Sequence, residues 1–133
     1  MKGFLIVILY MAAALIPVIY ASLFGYPYRN IVYEMGRNFA LLGFMILVLQ
    51  VFLASRIRWI ERPFGFDILI RYHRHMGIFA LLLVLSHPLL LASGSGNWGL
   101  VTGLNVSWHI WLGRVALVLL AVSIILSVYQ RPL

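Results

Sequence analysis

The stretch RYHRHMGIFALLLVLSHP, from Arg71 to Pro88, decides how this chain folds. It opens with arginines and imidazoles, continues through a long apolar run and meets a further imidazole at His87. Together with the apolar residues around it, the run reaches the length of about 20 residues that a helix needs to cross a bilayer. Such a helix would carry histidines near both membrane surfaces.

The composition of the whole chain points to lipid as its main solvent. Its 133 residues are 64% hydrophobic and only 10% charged, and the mean hydropathy is +1.03. A soluble domain of this size could not bury so much apolar surface. The absence of cysteine excludes disulfides, iron–sulfur clusters and thiolate zinc sites. With three acidic residues in all, the chain is also poorly equipped for carboxylate metal sites or paired-carboxylate catalysis.

Four apolar stretches are long enough to span a membrane. They are residues 3–24, 38–55, 68–92 and 107–129. A cleavable signal peptide is the alternative for the first stretch, although that run is longer than usual and contains Pro17. We therefore expect an all-α polytopic membrane protein, with one transmembrane domain over residues 1–133 and no soluble domain.

The arginines predict the orientation in the membrane. The link between the second and third stretches is basic, whereas the link between the third and fourth carries no charge. By the positive-inside rule the basic link is cytoplasmic, and four spans then place both termini in the cytoplasm. Lys2 and Arg131 agree with this orientation, and Arg29 and Arg37 oppose it. The +7 net charge thus indicates topology and lipid headgroup contact, and no nucleic-acid partner is expected.

The two outermost histidines of the third stretch share one helix face. His87 follows His73 by fourteen residues, which at 100° per residue is 40° short of four turns and spans about 21 Å along the axis. The residues between them on this face are the small or short Gly77, Ala80 and Val84. We expect this face to leave room for a bulky, flat cofactor.

Two b-type haems would suit such a helix. An imidazole in apolar surroundings stays neutral, and neutral imidazole is a good iron ligand. One haem at each end would form an electron relay across the membrane, with the protein supplying axial ligands and cations for the propionates. Arg71 and Arg74 are placed to meet the propionates near His73, and Arg114 those near His87.

Plainer interpretations remain open for several of these residues. A single intramembrane histidine is commonly a helix–helix hydrogen-bond donor or part of a proton path. His75 is 200° from His73, so it is interpreted as interfacial or as a neighbour of an iron ligand. His109 lies at the start of the fourth stretch and is interpreted as interfacial, with ligation of the outer haem as the alternative. Pro88 frees a backbone carbonyl one turn earlier, which either aims His87 or only kinks the helix. A further stripe along the second helix consists of Gly36, Ala40, Gly43 and Gln50. Its small residues predict close helix packing, and clearance for a porphyrin is the alternative.

Several segments together resemble a known family. They are GRNFALLGFMILVLQ (residues 36–50), RIRWIERPFGFD (56–67), YHRHMG (72–77), SHP (86–88) and LGRVALVLL (112–120). They are similar to the ferric reductase-like transmembrane domain that ferric reductases and NADPH oxidases share. The resemblance covers nearly the whole chain, and the fourteen-residue histidine spacing is its most specific part.

The resemblance implies a ligand set. His73 would ligate the inner and His87 the outer of two stacked haems, and Arg37 matches an arginine that lies close to the outer haem in the oxidases. In the family the other two ligands lie on a fifth helix, and a flavin domain using FAD and NAD(P)H supplies electrons. We expect that helix and domain from a missing segment or a partner subunit, so that this chain provides half of each haem site.

The resemblance also implies a function. We expect the haem-bearing core of a transmembrane oxidoreductase, passing electrons from cytoplasmic NAD(P)H and flavin to an external acceptor such as ferric iron. Dedicated oxidases often carry a histidine one turn beyond the outer ligand, and Leu91 occupies that position here, which favours iron over oxygen. Two alternatives remain. One is a haem membrane subunit of a methionine sulfoxide reductase-type system, and the other is a non-redox transporter or structural subunit.

Overall fold

The computed structural model describes residues 2–25, 30–55 and 57–129, and the regular secondary structure within them is entirely α-helical. The helices are α1 (Lys2–Phe24), α2 (Ile31–Ala54), α3 (Arg58–Phe64), α4 (Phe66–Ser95), α5 (Gly99–Thr102) and α6 (Trp108–Tyr129). Of these, α1, α2, α4 and α6 are long and apolar enough to cross a membrane. The prediction of an all-α membrane protein with four spans is confirmed. Three arginines that contribute to the predicted orientation lie outside the described residues: Arg29, Arg131 and Arg56 of the basic link.

Helix α2 begins at Ile31, earlier than the expected start at Asn38. The Asn30 side chain accepts a hydrogen bond from the backbone N–H of Val32 at 2.9 Å and so caps the helix. The first turns also carry an ion pair between Glu34 and Arg37. Because these two charges neutralise each other, the helix extends through residues that hydropathy alone assigns to a loop.

Helix α4 is longer at both ends than the predicted span, from Phe66 to Ser95. Its 30 residues extend over about 45 Å, whereas a bilayer core is about 30 Å thick. Gly65 precedes it and Gly96 follows it, with φ angles of 76° and 70° that residues other than glycine rarely adopt. The middle of this helix lies near Ala80, and His73 and His87 lie at equal distances on either side of it.

Two short helices were not predicted, and they mark the two ends of the bundle. Helix α3 lies in the basic link with Arg58 and Arg62, so we call that side the basic end. Helix α5 lies in the uncharged link between α4 and α6, so we call the opposite side the neutral end. Neither helix approaches the length that hydropathy windows detect.

Helices α2 and α4 form the most extensive helix pair, and glycines bring their backbones together. A Cβ placed on Gly43 would lie 2.7 Å from Val84 Cγ2, and one on Gly36 would lie 2.9 Å from Leu90 Cβ. Gly94 of α4 in turn packs against the backbone of Tyr33. The small residues of α2 therefore serve close helix packing, as expected.

The centre of the bundle corrects one expectation about the histidine face. Ala80 is fully buried in a core with Ala14, Ile46 and Leu83. Val84 packs against Gly43. The expectation that Ala80 and Val84 border open space is wrong, because the glycines of α2 let that helix cover the middle of α4.

Helix α6 packs much more loosely than the other spans. Its main partner is α4, and none of the residues of α6, all of which the structure describes, is buried. The loose contact leaves a cleft between α4 and α6 at the neutral end. This cleft holds the candidate functional site.

Substitution of Gly43 tests the packing of α2 on α4. We expect Gly43→Val to lower the free energy of unfolding by about 1–3 kcal/mol, because the added methyl groups would overlap Val84 and Leu83. Reversible unfolding in mixed detergent micelles, followed by tryptophan fluorescence, measures this. The matched control is Gly113→Val on α6, where nothing lies within 4 Å of the added Cβ. Equal stability of the two variants would contradict the packing account.

Candidate functional site

His87 presents one ring nitrogen for binding. Its Nδ1 lies 2.5 Å from the backbone oxygen of Val84, and the ring is partly buried. A carbonyl oxygen only accepts hydrogen bonds, so Nδ1 carries the proton and donates it. In neutral imidazole the other nitrogen, Nε2, then holds the free lone pair that a metal ion would use.

Pro88 explains why the Val84 carbonyl is available. In a regular helix that oxygen would accept from the backbone N–H of residue 88, but proline has no N–H. The carbonyl would stay without its helical donor inside an apolar segment, which is costly. His87 supplies the donor from its side chain. Of the two interpretations of Pro88, the structure therefore favours the one in which it aims His87.

A cavity of about 420 Å³ lies beside His87, between α4 and α6. Most of its wall is apolar, with His87 from α4 and His109 and Arg114 from α6 as its titratable residues. Gly113 also lines it, and a Cβ on this glycine would meet nothing within 4 Å. The volume falls in the range of about 300–1,000 Å³ that is common for cofactor sites.

His109 lies at the neutral end of the bundle, where it was expected. It is exposed at the start of α6, as an interfacial residue would be, and its ring meets Trp108 edge-on with centroids 6.1 Å apart. However, it also lines the cavity that His87 lines. The sequence placed both histidines at the same end of the bundle, but the shared cavity depends on how the α5 link returns the chain to α4.

Arg114 is engaged by the protein itself rather than free for propionates. Its guanidinium donates to the backbone oxygens of Gly103 at 2.7 Å, Leu100 at 2.8 Å and Gly99 at 3.2 Å. It also lies over the ring of Trp111, 5.1 Å from the centroid. These bonds use both terminal nitrogens and hold α5 against α6. These three bonds leave two of the five N–H donors, namely the second hydrogen of Nη1 and the Nε hydrogen. The Nε atom is buried and has no partner among the described residues.

Arg37 lies at the neutral end, on the same side of the bundle as His87. Its guanidinium pairs with Glu34. The preceding residue, Gly36, packs on the backbone of α4 so closely that a Cβ there would lie 3.1 Å from the His87 oxygen. The expected neighbourhood of Arg37 and His87 thus has a structural basis in the α2–α4 contact, whereas a contact of Arg37 with a haem remains a prediction.

His73 lies at the basic end on an open part of α4. The side chains of His73, Arg71 and Arg74 are exposed, and nothing lies within 4 Å of a Cβ placed on Gly77. In contrast to Ala80 and Val84, Gly77 therefore does border open space. His75 turns its Nδ1 to the Arg71 oxygen at 2.7 Å.

A polar cluster that the sequence pattern did not predict lies in the basic half of the bundle. Gln50, only 6% exposed, donates from Nε2 to the Tyr10 hydroxyl at 3.1 Å. The rings of Tyr10 and Tyr72 meet edge-on at 5.6 Å. The Gln50 Oε1 is buried without a partner among the described residues. A lone amide within an apolar span was the available signal, because it needs a partner from another helix.

Within the described residues, no group of three or more His, Cys, Asp or Glu side chains could hold a bare metal ion. The site at the neutral end instead offers imidazoles beside an apolar cavity. This donor set suits an iron whose equatorial positions a macrocycle already fills, because only axial ligands are then needed.

Comparison with known proteins identifies a family. A family model described as "Ferric reductase like transmembrane component" matches residues 39–131, more than half of the chain. The matched region includes α4, α5 and α6 and hence the whole cavity wall. No curated protein and no solved structure matches the chain.

Substitution of Pro88 tests how His87 is oriented. In Pro88→Ala the new N–H would bond to the Val84 oxygen and weaken the bond from His87 Nδ1. A hydrogen bond of about 1 kcal/mol biases the tautomers roughly five-fold, so we expect the Nδ1–H tautomer of His87 to lose most of this excess in the variant. Side-chain ¹⁵N chemical shifts of His87 report this. Pro17→Ala in α1 is the matched control and should change nothing at His87. An unchanged His87 spectrum in Pro88→Ala would refute the proposed role of proline.

Proposed function

Because the chain belongs to the family of ferric reductase-like transmembrane components, we propose that it is the haem-bearing core of a transmembrane electron-transfer oxidoreductase. Its electrons come from NAD(P)H through a flavin at the basic end. They leave at the neutral end to an external acceptor such as ferric iron. The basic end faces the cytoplasm by the positive-inside rule.

The observation that carries this proposal is the state of His87. Its Nδ1 is fixed by the Val84 oxygen, its Nε2 has no hydrogen-bond partner among the described residues, and the ring lines a largely apolar cavity. An imidazole that serves only in helix packing would have no need of an adjoining cavity of about 420 Å³. His87 therefore has the properties of an axial iron ligand, and the Val84 backbone oxygen is the partner that orients its ring.

We propose a second haem site at the basic end, where the surface of α4 is more exposed. His73 lies on the same face of α4 as His87, and the open space beside Gly77 leaves room for a macrocycle. Arg71 and Arg74, both exposed, offer cations to propionates at the membrane surface. A further helix or a partner subunit completes this site by covering the exposed face and supplying the second axial ligand.

A bound haem would supply reversible one-electron chemistry at each end of α4. The residues of the chain set the spacing of the sites and exclude water between them. His73 and His87 hold the two sites about 21 Å apart along the helix axis. The buried core around Ala80 between them excludes water from the middle of the membrane.

Replacement of each histidine tests the two-site proposal. We expect His73→Ala and His87→Ala to remove different haems, since the two ligands lie near opposite membrane surfaces. Haem content and redox titration of the protein isolated from its native membranes measure this. Leu82→Ala is the control, because this leucine is 60% exposed and points away from the histidine face.

Loss of the same spectral component in both histidine variants would contradict two separate sites. Haem-free protein in every preparation would contradict the proposed function as a whole and favour a non-redox membrane protein.

A further inference from the structure

Helix α5 is too short to hold its position by itself. It has four residues, Gly99–Thr102, and a helix leaves the carbonyl oxygens of its last turn without helical donors. Isolated helices shorter than about 12 residues are also marginal in stability. Contacts from outside α5 are therefore needed to fix it between α4 and α6.

Two side chains of α6 supply these contacts. Arg114 donates to three backbone oxygens within residues 99–103, at 2.7, 2.8 and 3.2 Å. Trp111 donates from Nε1 to the backbone oxygen of Leu104 at 3.3 Å. Trp111 and Arg114 share a face of α6 because they are three residues apart, and the guanidinium lies over the indole ring. Together they bind the backbone along residues 99–104.

This arrangement uses a property that arginine has and lysine lacks. A guanidinium presents its donors in a rigid planar fork, so it can bind oxygens of several residues at once. A lysine ammonium carries the same charge as a compact point on a flexible stem. Exchange of Arg114 for lysine therefore separates the effect of the fork from the effect of the charge.

The segment that these side chains hold is also part of the cavity wall beside His87. Leu100 and Val101 of α5 line the cavity together with residues of α4 and α6. Because α5 lies in the link at the neutral end, these two apolar side chains form the part of the wall nearest to that surface. The apolar shell around a metal site controls how far solvent enters it and hence its reduction potential.

We infer that Trp111 and Arg114 are positioning residues, which hold residues 99–104 in place as an apolar wall and so keep water from the haem of the neutral-end site. The inference rests on the proposed function, because it assumes that the chain binds this haem. Water stabilises the ferric form, which carries one more positive charge than the ferrous form. The wall therefore raises the reduction potential of this haem, which favours electron flow toward the neutral end.

The test compares variants of the protein isolated from its native membranes. Arg114→Lys keeps the charge but loses the fork, and Trp111→Phe keeps the arginine but loses the indole donor. We expect the backbone amides of residues 99–104 to exchange with deuterium about ten-fold faster in Arg114→Lys, and less so in Trp111→Phe, because bonds from a charged donor are the stronger ones. Hydrogen exchange followed by mass spectrometry measures this.

Redox titration supplies the second measurement. The neutral-end haem is identified as the component that His87→Ala removes. In Arg114→Lys we expect its reduction equilibrium to fall by about ten-fold, which corresponds to about 59 mV for one electron. The potential of the basic-end haem should not change. The matched controls are Arg58→Lys on α3 and Trp108→Phe, whose side chain is 74% exposed and meets His109. Both should keep the original exchange rates and potentials.

The outcomes separate the inference from the proposed function. Unchanged exchange in Arg114→Lys would overturn the inference, because the bonds would not fix the segment. Faster exchange with an unchanged haem potential would also overturn it, since the bonds would then serve the fold alone. A potential that falls in Arg114→Gln but not in Arg114→Lys would assign the effect to charge and likewise overturn it. In these three cases the proposed function stands, whereas protein without haem would overturn both.

Discussion

The backbone contact between α2 and α4 is the constraint on which the rest of the structure depends. Gly36 and Gly43 remove the side chains that would otherwise separate the two helices. In a membrane, where lipid is as apolar as the core, such close packing is a main source of helix association. The contact covers the middle of α4 around Ala80 and leaves the two histidine-bearing ends uncovered on other sides. One helix can therefore be both the centre of the bundle and the carrier of two separate sites.

The Val84 carbonyl connects this packing to the proposed chemistry. Pro88 leaves that oxygen without its helical donor, and His87 Nδ1 replaces the donor. The neighbouring carbonyl of His87 itself faces Gly36 of α2. Both the backbone and the ring of His87 are thus held by neighbours. As the proposed iron ligand, an imidazole held in this way would lose little freedom on binding, which favours tight and specific coordination.

Much of this account was accessible from the sequence, and the remainder has identifiable physical causes. Hydropathy predicted the four spans, and helical phase placed His73 and His87 on one face. Helical phase could not show that α2 covers Ala80 and Val84, because burial depends on which helices contact each other. The backbone oxygens that Arg114 binds lie in the α5 link, and the cavity shared by His87 and His109 also depends on this link. No periodicity in the sequence encodes its conformation. The predicted start of α2 was too late in the sequence, because hydropathy does not reveal that Glu34 and Arg37 form an ion pair.

The central claim, that this chain carries electrons across a membrane through haem, is tested most directly in sealed vesicles. Haem-loaded protein from native membranes is reconstituted with ferricyanide trapped inside, and reduced flavin mononucleotide is added outside. The account predicts that the trapped ferricyanide is reduced much faster than in protein-free vesicles, and that His87→Ala protein loses this acceleration. Haem-loaded vesicles that reduce ferricyanide no faster than protein-free ones would contradict the account.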